Sequence, residues 1–327
     1  MLLKKVSVLV SVFTMSLFLV STLPAEAASK SVRLRLGHEM PESHPYHAGA
    51  KKFADLVAEK SSGAITIQIF PNGSLGSQGQ LAEGLTMGTV DLALTNTMVL
   101  EKYEPLVSVL GLPYLMRNWE HVYKAVDGPI GDELNVLLGK KGINVLAYCS
   151  VGTIYINSTK LVKGPEDMKG LKLRVQPGPS YVEAAKTMEA VVTTTSFSEV
   201  YAALQLGTID AQTQSISNVL SNKHYEVAKF IALNDFGYLL EPLSISVMVY
   251  DRLDAEQKKI LKEAAYEAAV WQRQYMADEE KKGIETLKGF GVTVTQSNLD
   301  EWRAVLEPLQ QKFPKWLDLI NKIKAVQ

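Results

Sequence analysis

Leu85-Thr-Met-Gly-Thr-Val-Asp91 and Leu204-Gln-Leu-Gly-Thr-Ile-Asp210 are nearly the same heptapeptide, and each stands where a helical pattern gives way to a strand. Gly88 and Gly207 end the helices, as glycine does where the chain must turn left-handed. The first copy closes a run of alternating elements. Val32-Arg-Leu-Arg-Leu36 alternates as a strand, His47 to Lys60 carries apolar residues at helical spacing, and Ile65 to Phe70 alternates again. Gly79 to Met87 then reads as a helix and Val90 to Leu94 as a strand. The second half replays this. Leu171 to Val175 is a strand broken by Pro177-Gly178-Pro179, Tyr181 to Met188 is helical, and a short strand begins at Ile209. Between them, Ser196-Phe-Ser-Glu199 fits a capping box that opens a helix running to Leu206. Strands alternating with helices give an α/β class. The spacing of the other matched elements is not constant, which excludes a tandem array. Two lobes of similar design remain, with a cleft between them of the kind small ligands occupy.

One stretch is too long for either lobe. Asp254 is a helix N-cap, and no Pro or Gly interrupts the chain until Gly283. A helix from Ala255 to Lys288 spans about 50 Å at ~1.5 Å per residue. Its apolar set, including Ala264, Ala265, Ala268 and Ala269, is too rich in alanine and too broad for a coiled-coil seam. The length predicts one helix running across both lobes.

The N-terminus reads as a secretory signal peptide: Lys4 and Lys5, an apolar run from Val6 to Val20, and Ala25-Glu26-Ala27 as the cleavage signature. The run is short of the ~20 residues a spanning helix needs. The only cysteine, Cys149, is far from the cleavage site, so an N-terminal lipid anchor is excluded. Cys149 lies in the apolar stretch from Ile143 and reads as a buried thiol. The chain has 34 basic and 35 acidic side chains with no long run of either sign. That excludes the basic stripe of a nucleic-acid binder and the basic amphipathic helix of a peripheral membrane binder. Phosphate-loop, dinucleotide, nucleophile-elbow and zinc-protease motifs are missing. The cluster His38-Glu39-Met-Pro-Glu-Ser-His44-Pro-Tyr-His47 matches no zinc spacing, and its prolines make it a loop feeding a helix.

Several stretches, in order, carry a family resemblance: Leu36-Gly-His38, Phe70-Pro-Asn-Gly-Ser-Leu-Gly76, Gly88-Thr-Val-Asp91, Leu112-Pro-Tyr114, Met168-Lys-Gly-Leu-Lys-Leu-Arg-Val175, Phe197-Ser-Glu-Val-Tyr-Ala-Ala-Leu-Gln205 and Gly207-Thr-Ile-Asp210. Together they resemble the solute-binding receptors of tripartite ATP-independent periplasmic (TRAP) transporters, the DctP-type dicarboxylate-receptor family, over nearly all of the chain. The resemblance implies a two-lobed periplasmic binding protein fold of α/β class, with mixed sheets, an interlobe cleft and a long lobe-spanning helix. It implies a periplasmic receptor, without cofactor or metal, that captures a small organic acid and delivers it to a membrane permease. The expected divisions are a signal peptide at 1–27, lobe I at 28–151 plus 240–279, and lobe II at 152–239 plus 280–327. Competing readings are a receptor that signals to a sensor kinase and a periplasmic enzyme acting on an organic acid.

The resemblance also implies site residues. Arg174, in the Leu-Arg-Val strand, is the expected bidentate partner of a ligand carboxylate. The residues agree with that role. Alternation puts Lys172, Arg174 and Gln176 on one face of the strand, at the end where α/β crevices bind ligands. A planar guanidinium suits a carboxylate better than an ammonium does. Phe197, Gln214, Asn96, His38, Glu39 and Phe236 fall at further family contact points. Many relatives carry a second arginine two residues after a glycine entering the second lobe, where this chain has Val151-Gly-Thr-Ile154. With Ile154 there, a monocarboxylate such as a sugar acid or 2-oxo acid is expected over a dicarboxylate. Lys160 and Lys172 are the cations expected to substitute if a dicarboxylate binds.

Overall fold

The computed structural model describes residues 31–327, so the signal peptide read at the N-terminus lies outside the described residues. Within that range nine strands form: β1 (Val32–Gly37), β2 (Ile65–Phe70), β3 (Leu92–Leu94), β4 (Ile143–Ser158), β5 (Lys172–Arg174), β6 (Val191–Thr193), β7 (Ala211–Gln214), β8 (Phe230–Ser246) and β9 (Thr293–Gln296). Their order is β2-β1-β3-β8-β4-β7-β5-β6, with β9 also paired to β8. This order reads alike from both ends. β1 lies parallel to β2 and β3, and β3 then meets β8 antiparallel. β5 lies parallel to β6 and β7, and β7 meets β4 antiparallel. The result is a two-lobed α/β fold on one continuous mixed path, joined where β4 and β8 pair antiparallel.

The repeated heptapeptide is the same device in each half. Gly88 and Gly207 both take φ of +69°. Thr89 N–H then donates back to Gly84 O (2.9 Å), and Thr208 N–H to Ala203 O (3.0 Å). The closing aspartate ties this step to the neighbouring parallel strand. Asp91 accepts from the Arg35 N–H at 2.8 Å, and Asp210 from the Lys172 N–H at 3.1 Å. The capping box at Ser196 does not form. Ser196 Oγ meets Ser198 Oγ at 3.2 Å, residues Phe197–Glu199 make a 3-10 turn, and the α-helix is Val200–Gln205. A capping box does form at Ser77 and Gln80, opening the helix Gln78–Met87.

The long helix runs Ala255–Gly289, capped by Asp254 as expected. Its alanine face is buried. The Pro45–Lys60 helix approaches so closely that a Cβ on Gly49 would sit 2.7 Å from Gln272 Cγ. Gly283 lies inside the helix for the same reason: a Cβ there would meet Ile216 Cγ2 at 2.6 Å. The helix is bolted to β4 by polar side chains. Arg273 forms a bidentate pair with Asp127 (2.6 and 2.7 Å) and donates to Tyr148 O. Gln272 accepts from Ser150 N–H (2.8 Å) and donates to Ser150 O (2.9 Å). Glu280 accepts from Thr153 N–H and from the Tyr155 hydroxyl, both at 2.9 Å.

These bonds answer a defect in the sheet. The β4–β8 register shifts between Val145 and Ala147, between Ser150 and Gly152, and between Ile154 and Ile156. Backbone groups that leave a ladder must find other partners when buried. Asn135 supplies both for Val145, while Gln272 and Glu280 serve Ser150 and Thr153. The C-terminal helix Leu317–Ala325 returns to the helix Pro129–Gly139. There Lys322 pairs with Glu133 (3.0 Å), and on the preceding helix Trp119–Val126 His121 Nε2 lies 2.9 Å from Ile323 O. Cys149 is buried, and burial pushes its thiol up to about 12. Among the described residues no helix is long and apolar enough to cross a membrane.

Candidate functional site

A cavity of about 380 Å³ lies where the two parallel triplets face each other. Its wall follows the carboxyl ends of the strands, the usual site of ligand crevices in α/β sheets. Glu39 comes from the loop after β1, Gln78 from the start of the helix between β2 and β3, and Asn96 from just past the end of β3. Arg174 and Gln176 come from β5 and its end, Phe197 from beyond β6, and Gln214 from the end of β7. The crossing strands contribute Val151 and Leu239.

Arg174 is the dominant electrostatic feature. Its side chain reaches this wall although the residue is only 2% exposed. Nε donates to Thr195 O at 2.9 Å, which fixes the plane of the guanidinium. Nη1 is buried without a hydrogen-bond partner among the described residues. Burial lowers the guanidinium to about 10, opposed by the charge of Glu39. It therefore stays protonated at neutral pH while holding unused donors. A buried network stands nearby: Gln212 Nε2 donates to Asn157 Oδ1 (2.9 Å) and to His224 Nδ1 (2.8 Å). Burial, then the charge of Arg174, hold His224 neutral with a pKa of about 4. Phe197 packs edge-on to the His224 ring, centroids 5.6 Å apart.

The rest of the wall is rich in amides and carries two acids. Burial raises Glu39, while Gln78 and Arg174 act to lower it. Glu101 touches the Ser108 hydroxyl, and burial raises it to about 7. Gln78 Oε1 accepts from Asn96 N–H at 2.8 Å, and Asn96 Oδ1 caps the next helix through Val99 N–H (3.2 Å). The Asn96 amide nitrogen is thereby left for other partners, while that of Gln78 is directed at Glu39. The wall also holds Asn218 and the exposed Lys102.

Five of the eight site residues expected from the sequence meet at this cavity: Arg174, Phe197, Gln214, Asn96 and Glu39. Three lie off its wall. His38 turns back onto the Pro45–Lys60 helix, its Nε2 3.2 Å from His47 Nδ1, and burial lowers it to about 4. Ile154 is fully buried in β4 opposite Gly237, so it packs the sheet and the wall position on this strand belongs to Val151. Phe236 is fully buried edge-on to Tyr181, centroids 5.2 Å apart. The substitute cations are also elsewhere. Lys160 pairs with Asp210 at 3.1 Å, and Lys172 Nζ donates to Gly207 O at 2.8 Å; the second cation on the wall is Lys102. Gln78 and Asn218 were not foreseen, and Gln176 was placed on the face of Arg174 without being named as a site residue. The Ser77-Gln-Gly-Gln80 cap is the one local signal that pointed at Gln78.

Residues 36–315 match the family profile described as bacterial extracellular solute-binding protein, family 7 (DctP). The chain belongs to this family. A crystal structure of a TRAP periplasmic solute-binding protein from Polaromonas sp. JS666, bound to D-erythronate, superimposes with a TM-score of 0.87. It is 31% identical, and the match covers 90% of this chain and 99% of that one. The 2,3-diketo-L-gulonate-binding periplasmic protein YiaO of Escherichia coli K12 is 33% identical over 90% of this chain and 92% of its own. The C4-dicarboxylate-binding protein DctB of Bacillus subtilis 168 is 30% identical over 88% and 84%. As a family 7 protein, the chain is a solute-binding receptor of TRAP transport and not an enzyme. The cavity suits a receptor, since it holds a charge anchor and hydrogen-bonding side chains drawn from both halves of the sheet.

Proposed function

We propose that this receptor captures a small polyhydroxylated monocarboxylate, a sugar acid, and hands it to a TRAP membrane permease. The observation that carries this reading is the buried Arg174, whose plane is fixed by Thr195 while Nη1 has no partner among the described residues. A buried donor left unmet costs free energy, and a carboxylate meets it with charge-assisted bonds. The remainder of the wall supports hydroxyl groups over a second carboxylate. Gln78, Gln176, Gln214, Asn96 and Asn218 offer amides, and Glu39 is an acceptor that would repel another anion. The Polaromonas and Escherichia relatives bind D-erythronate and 2,3-diketo-L-gulonate, both hydroxylated monocarboxylates. The Bacillus relative binds C4-dicarboxylates, so the choice for this chain rests on its own wall.

Ala25-Glu26-Ala27 supports export with cleavage after Ala27. The mass of protein from the periplasm should begin at Ala28, and a product retaining Lys4 and Lys5 would contradict this. The lobe divisions at 151–152 and 239–240 are supported by the crossing of β4 and β8, where Ser150 pairs with Leu240 and Gly152 with Leu239. The tail beyond 280 touches both lobes, since Lys312 reaches Glu183 and Lys322 reaches Glu133. A thermal-shift screen tests the ligand class. At 100 times its Kd a ligand adds about 2.7 kcal/mol to stability. D-erythronate or D-galacturonate should raise the melting temperature and succinate should not; the opposite pattern would overturn the reading.

A further inference from the structure

Two buried side chains beside the cavity have unmet groups of opposite kind. His44 caps the Pro45–Lys60 helix, its Nδ1 accepting from Tyr46 N–H at 3.1 Å. A neutral imidazole that accepts at Nδ1 carries its proton at Nε2. Burial keeps the ring neutral, with a pKa of about 3. Nε2–H is therefore a donor, and among the described residues it is buried without a partner. Asn218, in the helix Ile216–Ser221, donates through Nδ2 to Gln214 Oε1 at 2.7 Å. Its Oδ1 is a buried acceptor, also without a partner. The Asn218 side chain is close enough to act on the His44 ring, although the two atoms do not close a hydrogen bond. His44 follows β1 in the first half of the chain, and Asn218 follows β7 in the second.

The far end of this chain of groups is Gln214. Its Oε1 already accepts from Asn218 Nδ2 and from Ser215 N–H at 2.9 Å. What it has left for the cavity is its NH2 group. We propose that His44 is a positioning residue: its Nε2–H closes onto Asn218 Oδ1 when ligand draws the two halves together, locking Gln214 with its NH2 toward the ligand oxygens. Each orientation dictates the next. The helix cap sets the imidazole tautomer, the tautomer demands an acceptor from Asn218, and Asn218 then has only its NH2 to offer Gln214. An amide flipped anywhere along the line would set donor against donor or acceptor against acceptor. Unmet buried groups raise the free energy of the open form, so joining them favours the closed one. Only the affinity part of the test rests on the sugar-acid reading.

Asparagine places a polar atom where Nδ1 stood, and glutamine where Nε2 stood. His44→Asn keeps the cap acceptor and loses the relay donor. His44→Gln keeps the donor and loses the cap. Calorimetry with D-erythronate should show affinity about tenfold weaker in His44→Asn with the unliganded melting temperature unchanged. His44→Gln should melt earlier yet bind within about twofold of wild type. A purely structural role gives the reverse, with affinity following stability, and overturns the proposal. A second measurement needs no ligand. In nitrogen-edited NMR of the mature protein, Asn218→Ala should shift the His44 Hε2 resonance, because the Asn218 side chain already lies close enough to act on that ring. An unmoved resonance overturns the proposal whether or not D-erythronate binds. Failure of D-erythronate to bind wild type would instead tell against the sugar-acid reading, leaving the ring experiment to decide.

Discussion

Arg174→Ala separates ligand anchoring from folding, because the unbound site already carries an electrostatic cost. Burial has drawn the Arg174 guanidinium from 12.5 to about 10. That difference corresponds to a penalty of about 3 kcal/mol for keeping the charge in the unbound cavity. One backbone acceptor, Thr195 O, is what the protein provides in return. Removing the side chain relieves the penalty, frees a carbonyl beside a cavity wide enough for water, and costs some packing. The unliganded variant should therefore fold with stability within about 1 kcal/mol of wild type. The bound state loses far more, since truncating one side of a buried charge pair typically costs about 3–5 kcal/mol. At about 1.4 kcal/mol per tenfold, affinity for the cognate acid should fall at least a hundredfold. Arg174→Lys keeps a charge but gives up the fork and the Thr195 contact, and a buried lysine sheds its proton more readily. It should bind at least tenfold more weakly than wild type. Titration calorimetry gives the affinities, and melting of the unliganded variants gives the stabilities. Arg174→Ala that folds normally and binds the cognate acid within a few-fold of wild type would refute the anchor.

Dicarboxylates of matched length should bind at least tenfold more weakly than monocarboxylates, because Glu39 faces the second charge and the crossing strand offers the apolar Val151 at the wall. If succinate binds tightly, Lys102→Ala should abolish that binding, and Lys172→Ala should leave it unchanged. Glu101 should make affinity pH-dependent. Its folded pKa is raised to about 7, so it is neutral below that pH and becomes a second anion above it. A bound carboxylate favours the protonated form, and affinity should decline as pH rises through 7. The decline should be about tenfold for charges ~10 Å apart at an effective dielectric of ~20. Glu101→Gln should flatten this profile, and an unchanged profile in the variant would exclude the residue as the cause. Small-angle scattering should show a smaller radius of gyration at saturation with ligand, whereas identical profiles would argue against hinge closure.

The parts of the fold legible in the sequence were those fixed by local rules. Alternation placed β1, β2 and β5, and the Asp254 cap with an unbroken run gave the long helix. The matched heptapeptides pointed to two similar halves because each repeats a left-handed glycine and a strand-tethering aspartate. Alternation also put Arg174 and Gln176 on one face, and both line the cavity. What stayed hidden depended on distant partners. Ser77 and Ser196 carry similar capping patterns, yet only Ser77 forms the box, since Ser196 lies at the cavity edge and turns to Ser198. His44 is outside the usual set of capping residues. His224 lies 50 positions beyond Arg174 in number, and only the β5–β7 pairing brings its partner Gln212 beside that arginine. Ile154 was read through its spacing from a glycine. The register shift after Ser150 decides which β4 side chains face the cavity, and such a shift cannot be read from spacing.

That shift also links ligand contact to motion. A regular two-strand ladder resists bending because every backbone group is committed to its neighbour. At Gly152 the ladder is broken and φ is +103°, a conformation that side chains other than glycine rarely adopt. The groups released there are held by Gln272 and Glu280, which stand on the long helix instead of on β8. A Cβ on Gly152 would lie 3.1 Å from Glu280 Oε2, so the glycine is required for this approach as well as for its φ. The weak point of the crossing strands is thus backed by a helix that does not share the weakness. Val151, one residue before it, and Leu239, paired with Gly152, both lie on the cavity wall. A ligand touching Val151 and Leu239 therefore meets the crossing strands beside one of their three register shifts. Hinge closure is expected to turn at this shift, with the long helix holding the backbone groups released there.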